Sequence, residues 1–229
     1  GIPCVHTVHN VAKVESEGTA QAILNRFYYH RGWSVPVALS PEVQRTVTEF
    51  YGLDRVPVIF NGVNLHRCIP KRSYGLGDTV SLLHIGRFDE QKNHAGLLQA
   101  FAKLLKTHPN CCLNLLGDGH LRTDMENYAR ELGIGHAVHF LGNQADVHPY
   151  LHDADMFLLP SKYEGMPMTI IEAMGTGLPI VASRVGGVPD MLRDGESGLL
   201  VGCDPDEVCA ACERLIDSEE LRRTLGQNA

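Results

Sequence analysis

Short apolar runs separated by amphipathic stretches constrain this chain more than any other feature of its sequence. The runs stand near residues 3–8, 35–39, 56–60, 80–85, 111–116, 137–141, 155–159, 179–182 and 198–201. Each has the length of a strand, and most of the intervals between them carry helical periodicity. Over residues 93–106, for example, Leu97, Leu98, Phe101, Leu104 and Leu105 fall on one helical stripe. Strand and helix alternating through short Gly-rich turns predict an α/β fold, a doubly wound parallel sheet covered by helices on both faces. No sequence period marks a solenoid.

One break interrupts this order. Asn61-Gly62-Val63-Asn64 is a turn signal, and Pro70 to Asp78 is polar and Gly-rich. The expected division is residues 1–64 as the remainder of one domain, 65–79 as a linker and 80–229 as a complete domain of about six strands. Three strands and two helices before the break are too few for a parallel sheet covered on both faces, so that part reads as the back half of a second, Rossmann-like domain. A chain of 229 residues can bury roughly 70% or more of its unfolded surface and needs no staple to fold.

Composition narrows the function classes. Twenty basic against 27 acidic residues give a formal charge of −7, which argues against a general nucleic-acid or membrane-surface binder. No apolar run approaches the length needed to span a bilayer, and the opening residues read as a strand rather than a signal peptide. Seven cysteines, odd in number and irregular in spacing, make a poor disulfide framework and point to a reducing compartment. Cys209 and Cys212 form a C-x-x-C within a helical pattern, but no second Cys or His pair stands near them at zinc-ligand spacing, so they read as buried thiols. His6 and His9, three apart on a strand, face opposite sides and do not suit a shared metal. The aromatic stretch Arg26 to Trp33 reads as packing of the first part rather than as a membrane or acceptor contact.

Ligands of open parallel sheets bind at the carboxyl ends of strands, so the residues after each run carry the chemistry. The run at 80–85 leads into Gly86-Arg87-Phe88-Asp89-Glu90-Gln91-Lys92-Asn93, which puts two cations on one loop. Arg87 and Lys92 suit a pyrophosphate, and they suit equally a solvated loop in which they pair with Asp89 and Glu90. The run at 155–159 leads into Pro160 to Pro167 and then an apolar helix, with Pro167 expected at its first position. Gly165 permits close backbone approach, and the helix start offers free N–H groups to an anion. Glu164 stands just outside that start and Glu172 about 7–8 Å further along the axis. Two carboxylates flanking an anion site fit hydroxyls on both sides of a diphosphate, as in a nucleotide sugar. Glu172 has apolar neighbours nearly all round, and a buried Glu needs a partner or a ligand. Neither a dinucleotide fingerprint nor a P-loop nor a nucleophile elbow is present.

Taken in order, these residues resemble the family-4 glycosyltransferases of the GT-B fold. The likeness rests on Gly86-Arg87 with Lys92, on Glu164-Gly165-Met166-Pro167 with seven residues separating Glu164 from Glu172, and on connecting segments that include Gly117-Asp118-Gly119, Gly175 to Ala182 and Val185 to Pro189. It covers nearly the whole chain. It implies a retaining hexosyltransferase that moves a hexose from a nucleoside-diphosphate sugar to an acceptor hydroxyl, with no metal or other cofactor. Arg87 and Lys92 would hold the diphosphate together with the backbone at Gly165 and Met166, and Glu172 the ribose. Glu164 would hold the hexose as a catalytic residue. Thr7-Val8-His9-Asn10 is similar to the family's His-bearing strand end and makes His9 the second catalytic candidate. The acceptor would be a glycan, a lipid-linked or a small molecule, in polysaccharide or glycolipid biosynthesis, and nucleic acid is not an expected partner. The expected location is cytoplasmic, at most peripheral to the inner face of a membrane, through a preceding amino-terminal part that this chain lacks. With that part's acceptor contacts missing, transfer by this chain alone is expected to be feeble or nil. Alternatives are a GT-B nucleotide-sugar epimerase or a non-catalytic nucleotide- or glycan-binding module. Two positions depart from the family pattern: Asn93 stands where Gly is frequent and Asp190 where Glu is common.

Overall fold

The structure is a computed structural model that describes residue 2, residues 4–16 and residues 18–229. Pro3, which the first apolar run includes, lies outside the described residues. In chain order the elements are β1 (Cys4–Val8), α1 (Ala12–Glu15), α2 (Thr19–His30), β2 (Ser34–Ala38), α3 (Pro41–Tyr51), β3 (Val80–Ile85), α4 (His94–Thr107), β4 (Cys111–Leu116), α5 (Arg122–Glu131), β5 (Val138–Gly142), α6 (His148–Asp153), β6 (Met156–Leu159), α7 (Met168–Gly175), β7 (Ile180–Ser183), α8 (Val188–Met191), β8 (Leu199–Val201), α9 (Pro205–Asp217) and α10 (Glu219–Asn228). They fall into two compact units. The smaller holds the chain up to Gly62 with Tyr163–Pro167 and Val185–Met191, and the larger holds the rest.

The larger unit is an α/β fold on one six-stranded sheet in the order β5-β4-β3-β6-β7-β8, parallel throughout. Counting its strands from one, that order is 3-2-1-4-5-6, the doubly wound arrangement whose direction reverses between β3 and β6. Both central strands on the reversing side, β6 and β7, are buried at every residue, as parallel strands with helices on both faces must be. On α4 the apolar stripe of Leu97, Leu98, Phe101 and Leu104 joins Leu113, Leu115, Leu158 and Val181 of the strands in one core. Cys209 and Cys212 lie buried on α9, and all seven cysteines are free thiols.

The smaller unit pairs β1 with β2 in parallel. The run at 56–60, expected as a third strand, contributes a single parallel bridge, Ala38 to Val58, held by Ala38 N–H donating to Pro57 O and Ile59 N–H to Ala38 O. Pro57 has no N–H to extend the ladder. A further difference concerns the aromatic stretch. Only Tyr29 packs inward, on the same face of α2 as Asn25, whereas Phe27, Tyr28 and Trp33 are exposed and contact one another at ring-centroid distances of 5.5–5.9 Å. The buried stripe of α2 is one residue wide, too narrow to take in its neighbours. Among the described residues no helix is long and apolar enough to cross a membrane.

Candidate functional site

In the larger unit the sheet reverses between β3 and β6, and both strands end in the loops that carry the expected chemistry. After β3, Gly86 N–H donates to Leu116 O (2.9 Å) and Phe88 N–H to Asp118 O (3.0 Å), fixing the loop's exit against the end of β4. Phe88 is fully buried and anchors the loop. Asp89 then turns it: its carboxylate accepts from Lys92 N–H at 3.2 Å, capping the 3-10 turn Glu90–Lys92, and pairs with Arg87 Nε at 3.1 Å. The Arg87 side chain is 74% exposed. Glu90 pairs instead with His120.

Asn93 closes the loop in the left-handed conformation, φ 55°, the one non-glycine residue with positive φ among those described. Asn tolerates that region where most side chains do not, so the departure from Gly preserves the geometry. Its side chain also does what Gly cannot: Nδ2 donates to Pro160 O at 3.1 Å. With Lys162 N–H donating to Gln91 O at 2.8 Å, the loop after β3 is tied to the exit of β6 at two points. Arg87 and Lys92 are therefore carried by a fixed turn at the point where the sheet reverses.

Glu172 belongs to the same unit, at the fifth position of α7. That helix begins at Met168, one residue later than the sequence suggests for Pro167. Burial raises the Glu172 carboxyl above its ordinary range; His148 and Arg67 act against that shift, and Asp146 adds to it. Those three form a network of their own, with Asp146 Oδ1 accepting from Arg67 Nη2 (3.0 Å), His148 Nδ1 (2.8 Å) and His148 N–H (3.1 Å). Arg67, Asp146 and His148 line a cleft of about 470 Å³ with His66, Ile69 and His152. None of these was singled out by the sequence, because the three segments that supply them carry no common motif.

The remaining site residues fall in the smaller unit. Glu164 is 4% exposed and Gly165 and Pro167 are buried. A Cβ on Gly165 would run into the carbonyl oxygen of His9, and a Cβ on Gly187 into that of Gly165. Three strands of backbone thus touch at Gly165, and only glycine fits between them. Asn61, read from sequence only as part of a turn, holds the next residue: its Nδ2 donates to Met166 O (3.0 Å) and its N–H to Met166 Sδ (3.3 Å). Gly187 N–H donates to Glu164 O at 3.3 Å. His9 itself is exposed. Asp190, the other departure, accepts from Glu42 N–H at 3.1 Å at the start of α3. The structure thus places Arg87, Lys92 and Glu172 in one unit and His9, Glu164, Gly165 and Met166 in the other.

Comparison with known proteins identifies the family and the fold. The profile of a family described as "Glycosyl transferases group 1" matches residues 71–229. A lipopolysaccharide core biosynthesis glycosyltransferase of Rhizobium meliloti is 31% identical over 206 residues, covering 88% of this chain and 59% of its own length. A D-inositol 3-phosphate glycosyltransferase of Thermomonospora curvata is 31% identical over an alignment covering all of this chain and 61% of its own length. The chain therefore spans about three fifths of these relatives. Among solved structures, HepE of Anabaena, crystallised with UDP-glucose, superimposes with a TM-score of 0.89 over 99% of this chain and 66% of its own, at 22% identity, a likeness of fold.

Proposed function

This chain belongs to the glycosyl transferases group 1 family, and from that premise we propose that it carries the donor side of a retaining, family-4 hexosyltransferase of GT-B fold acting on a nucleoside-diphosphate sugar. The observation that carries the reading is the loop Gly86–Asn93, which presents Arg87 and Lys92 where the sheet reverses and is pinned to the exit of β6 through Asn93 and Gln91.

In this reading Arg87 and Lys92 bind the diphosphate. Arg87, the exposed end of its pair with Asp89, leaves that contact to do so. Preorganised cations aimed at the leaving diphosphate stabilise the charge that grows there as the glycosidic bond breaks, and they do so without requiring a metal. Backbone groups at Gly165 and Met166 complete the grip. Glu172 accepts hydrogen bonds from the ribose hydroxyls, Glu164 from the hexose, and His9 stands beside the transferred sugar. A half-buried carboxylate such as Glu172 gains from two hydroxyl donors more than a fully exposed one would. The acceptor is a hydroxyl of a glycan, a lipid-linked sugar or a small molecule.

Calorimetric titration with UDP, GDP and ADP and their glucose conjugates, with and without EDTA, tests the proposal. Binding of at least one of them that survives EDTA is expected. No binding to any would sink the donor reading, and binding abolished by EDTA would sink its metal independence.

A further inference from the structure

Two histidines lie beneath the Arg87–Lys92 loop, both buried and neither used by the chemistry above. His84, the fifth residue of β3, has Nδ1 2.8 Å from the carbonyl oxygen of Leu158 on β6. A carbonyl only accepts, so Nδ1 carries the proton and Nε2 presents a lone pair. Among the described residues that Nε2 is buried with no hydrogen-bond partner, and so are both ring nitrogens of His94. The His94 ring meets His84 edge-on at 4.8 Å and stacks on Phe88 at 3.9 Å. A Cβ on Gly86 would come within 2.9 Å of His84 Nε2 and 3.0 Å of Lys92 Cγ. Gly86 is thus packed against both the imidazole edge and the lysine stem.

We infer that His84 and His94 are positioning residues of the donor grip: a seat of two neutral imidazoles that fixes Lys92, and that releases it when His94 takes up a proton. The inference rests on the donor reading for its consequence, but the seat itself is a property of the free protein. A hydrocarbon pair would fill the same space. What imidazoles add is three polar nitrogens without a hydrogen-bond partner among the described residues, next to the turn that carries Lys92, an arrangement that costs free energy and that a purely structural core would shed. Among the described residues, the titratable groups facing His94 are His84 from β3 and Lys92 from its own loop, while β6 supplies the Leu158 carbonyl to His84. Burial foremost, and then Lys92, lower the His94 value to about 4. At neutral pH the seat is therefore uncharged. Protonation in acid puts a desolvated imidazolium beside the Lys92 ammonium, and the ring must leave its place against Phe88.

The test has two arms. In the first, affinity for UDP-, GDP- or ADP-glucose, whichever binds tightest at pH 7.5, is followed into acid for the wild type and for His94→Phe; the diphosphate diester of these ligands does not titrate in that range. Well below the His94 value the wild type loses affinity by up to about tenfold per pH unit beyond the loss that the binding carboxylates cause in both proteins, and His94→Phe, which keeps the stack on Phe88, lacks this extra dependence. Equal profiles for the two proteins, or affinity that rises in acid, overturn the inference. The second arm needs no ligand and covers the case in which His94→Phe does not fold or no donor binds. The His94 imidazole is titrated by NMR in the wild type and in Lys92→Met. Removing the ammonium is expected to raise the His94 value, and an unmoved titration overturns the seat. Failure of all ligands to bind, with the NMR shift present, rejects the donor reading and leaves the seat standing.

Discussion

The two parallel sheets of this molecule are built from the same local pattern, an apolar strand followed by a helix, and they differ in how fully their strands are buried. In the six-stranded sheet β6 and β7 expose nothing. In the two-stranded sheet β1 is buried only at Val8, while Val5 of β1, Val35 of β2 and Ile23, Phe27 and Tyr28 of α2 are open to solvent. An apolar run becomes core only when a second layer closes over it. Two strands provide one pairing edge and too little area for helices on both faces, which is why isolated pairs are marginal. The larger unit accordingly carries the pinned turn that bears Arg87 and Lys92.

The strongest way to break this contrast is to make a cavity in the larger core. Leu113 of β4 is fully buried, and Leu113→Ala should cost about 2–5 kcal/mol in urea unfolding followed by far-UV circular dichroism. A cost below about 1 kcal/mol would mean that this sheet is not the closed core described. Arg222→Ala should cost about 3 kcal/mol. Its guanidinium is 4% exposed and donates to the carbonyls of Tyr74 (2.8 Å), Ile216 (2.9 Å) and Leu215, tying the segment before β3 to the end of α9. Lysine at 222 should not restore it, since a point charge cannot reach three carbonyls in a plane.

Glu172 sharpens the comparison from the side of function. Glu172→Ala should weaken nucleotide binding by about 1.5–3 kcal/mol, whereas Glu164→Ala should matter only when the hexose is attached; equal losses on the bare nucleotide would refute that division. Stability should move the other way. The native value of Glu172 is raised, chiefly by burial, so the folded state holds this proton more tightly than the unfolded chain. Its favourable contribution is complete below the ordinary carboxylate range and is lost as pH rises through the raised native value. At neutral pH the ionised group opposes folding, and Glu172→Gln should raise Tm at pH 7 but not at pH 4.

How much of this was legible in the sequence follows from how local each cause is. The six strands of the larger sheet, α4 and the two loops at its reversal are local patterns of apolar spacing, Gly86 and Pro160, and they read directly. The bridge at 56–60 did not, because Pro57 removes the donor that a third strand needs. Asn93 looked like a departure until its positive φ showed that Asn and Gly meet one requirement there. The Arg67–Asp146–His148 network and the seat of His84 and His94 join residues from separate segments, and nothing in the spacing of one segment announces the others. Arg222 sits in a helix whose polar composition reads as surface, and its burial depends on carbonyls of the preceding helix and on that of Tyr74, far away in the chain.

The smallest expected effect probes the smaller unit alone. Ile23 of α2 is 63% exposed, and Ile and Ser differ little in helix propensity, so Ile23→Ser tests burial and little else. The chain has a single tryptophan, Trp33, packed edge-on against Phe27 at 5.5 Å in this unit. Its fluorescence therefore follows the smaller unit, whereas circular dichroism is dominated by the larger. If Ile23 is as open in solution as in the structure, the unfolding free energy read from fluorescence in urea should change by less than about 0.5 kcal/mol. A loss of about 2 kcal/mol, the value of a well-buried Ile, would show that something covers this face in solution. The contrast between the two sheets would then come from the reach of this chain and not from the strength of its strands.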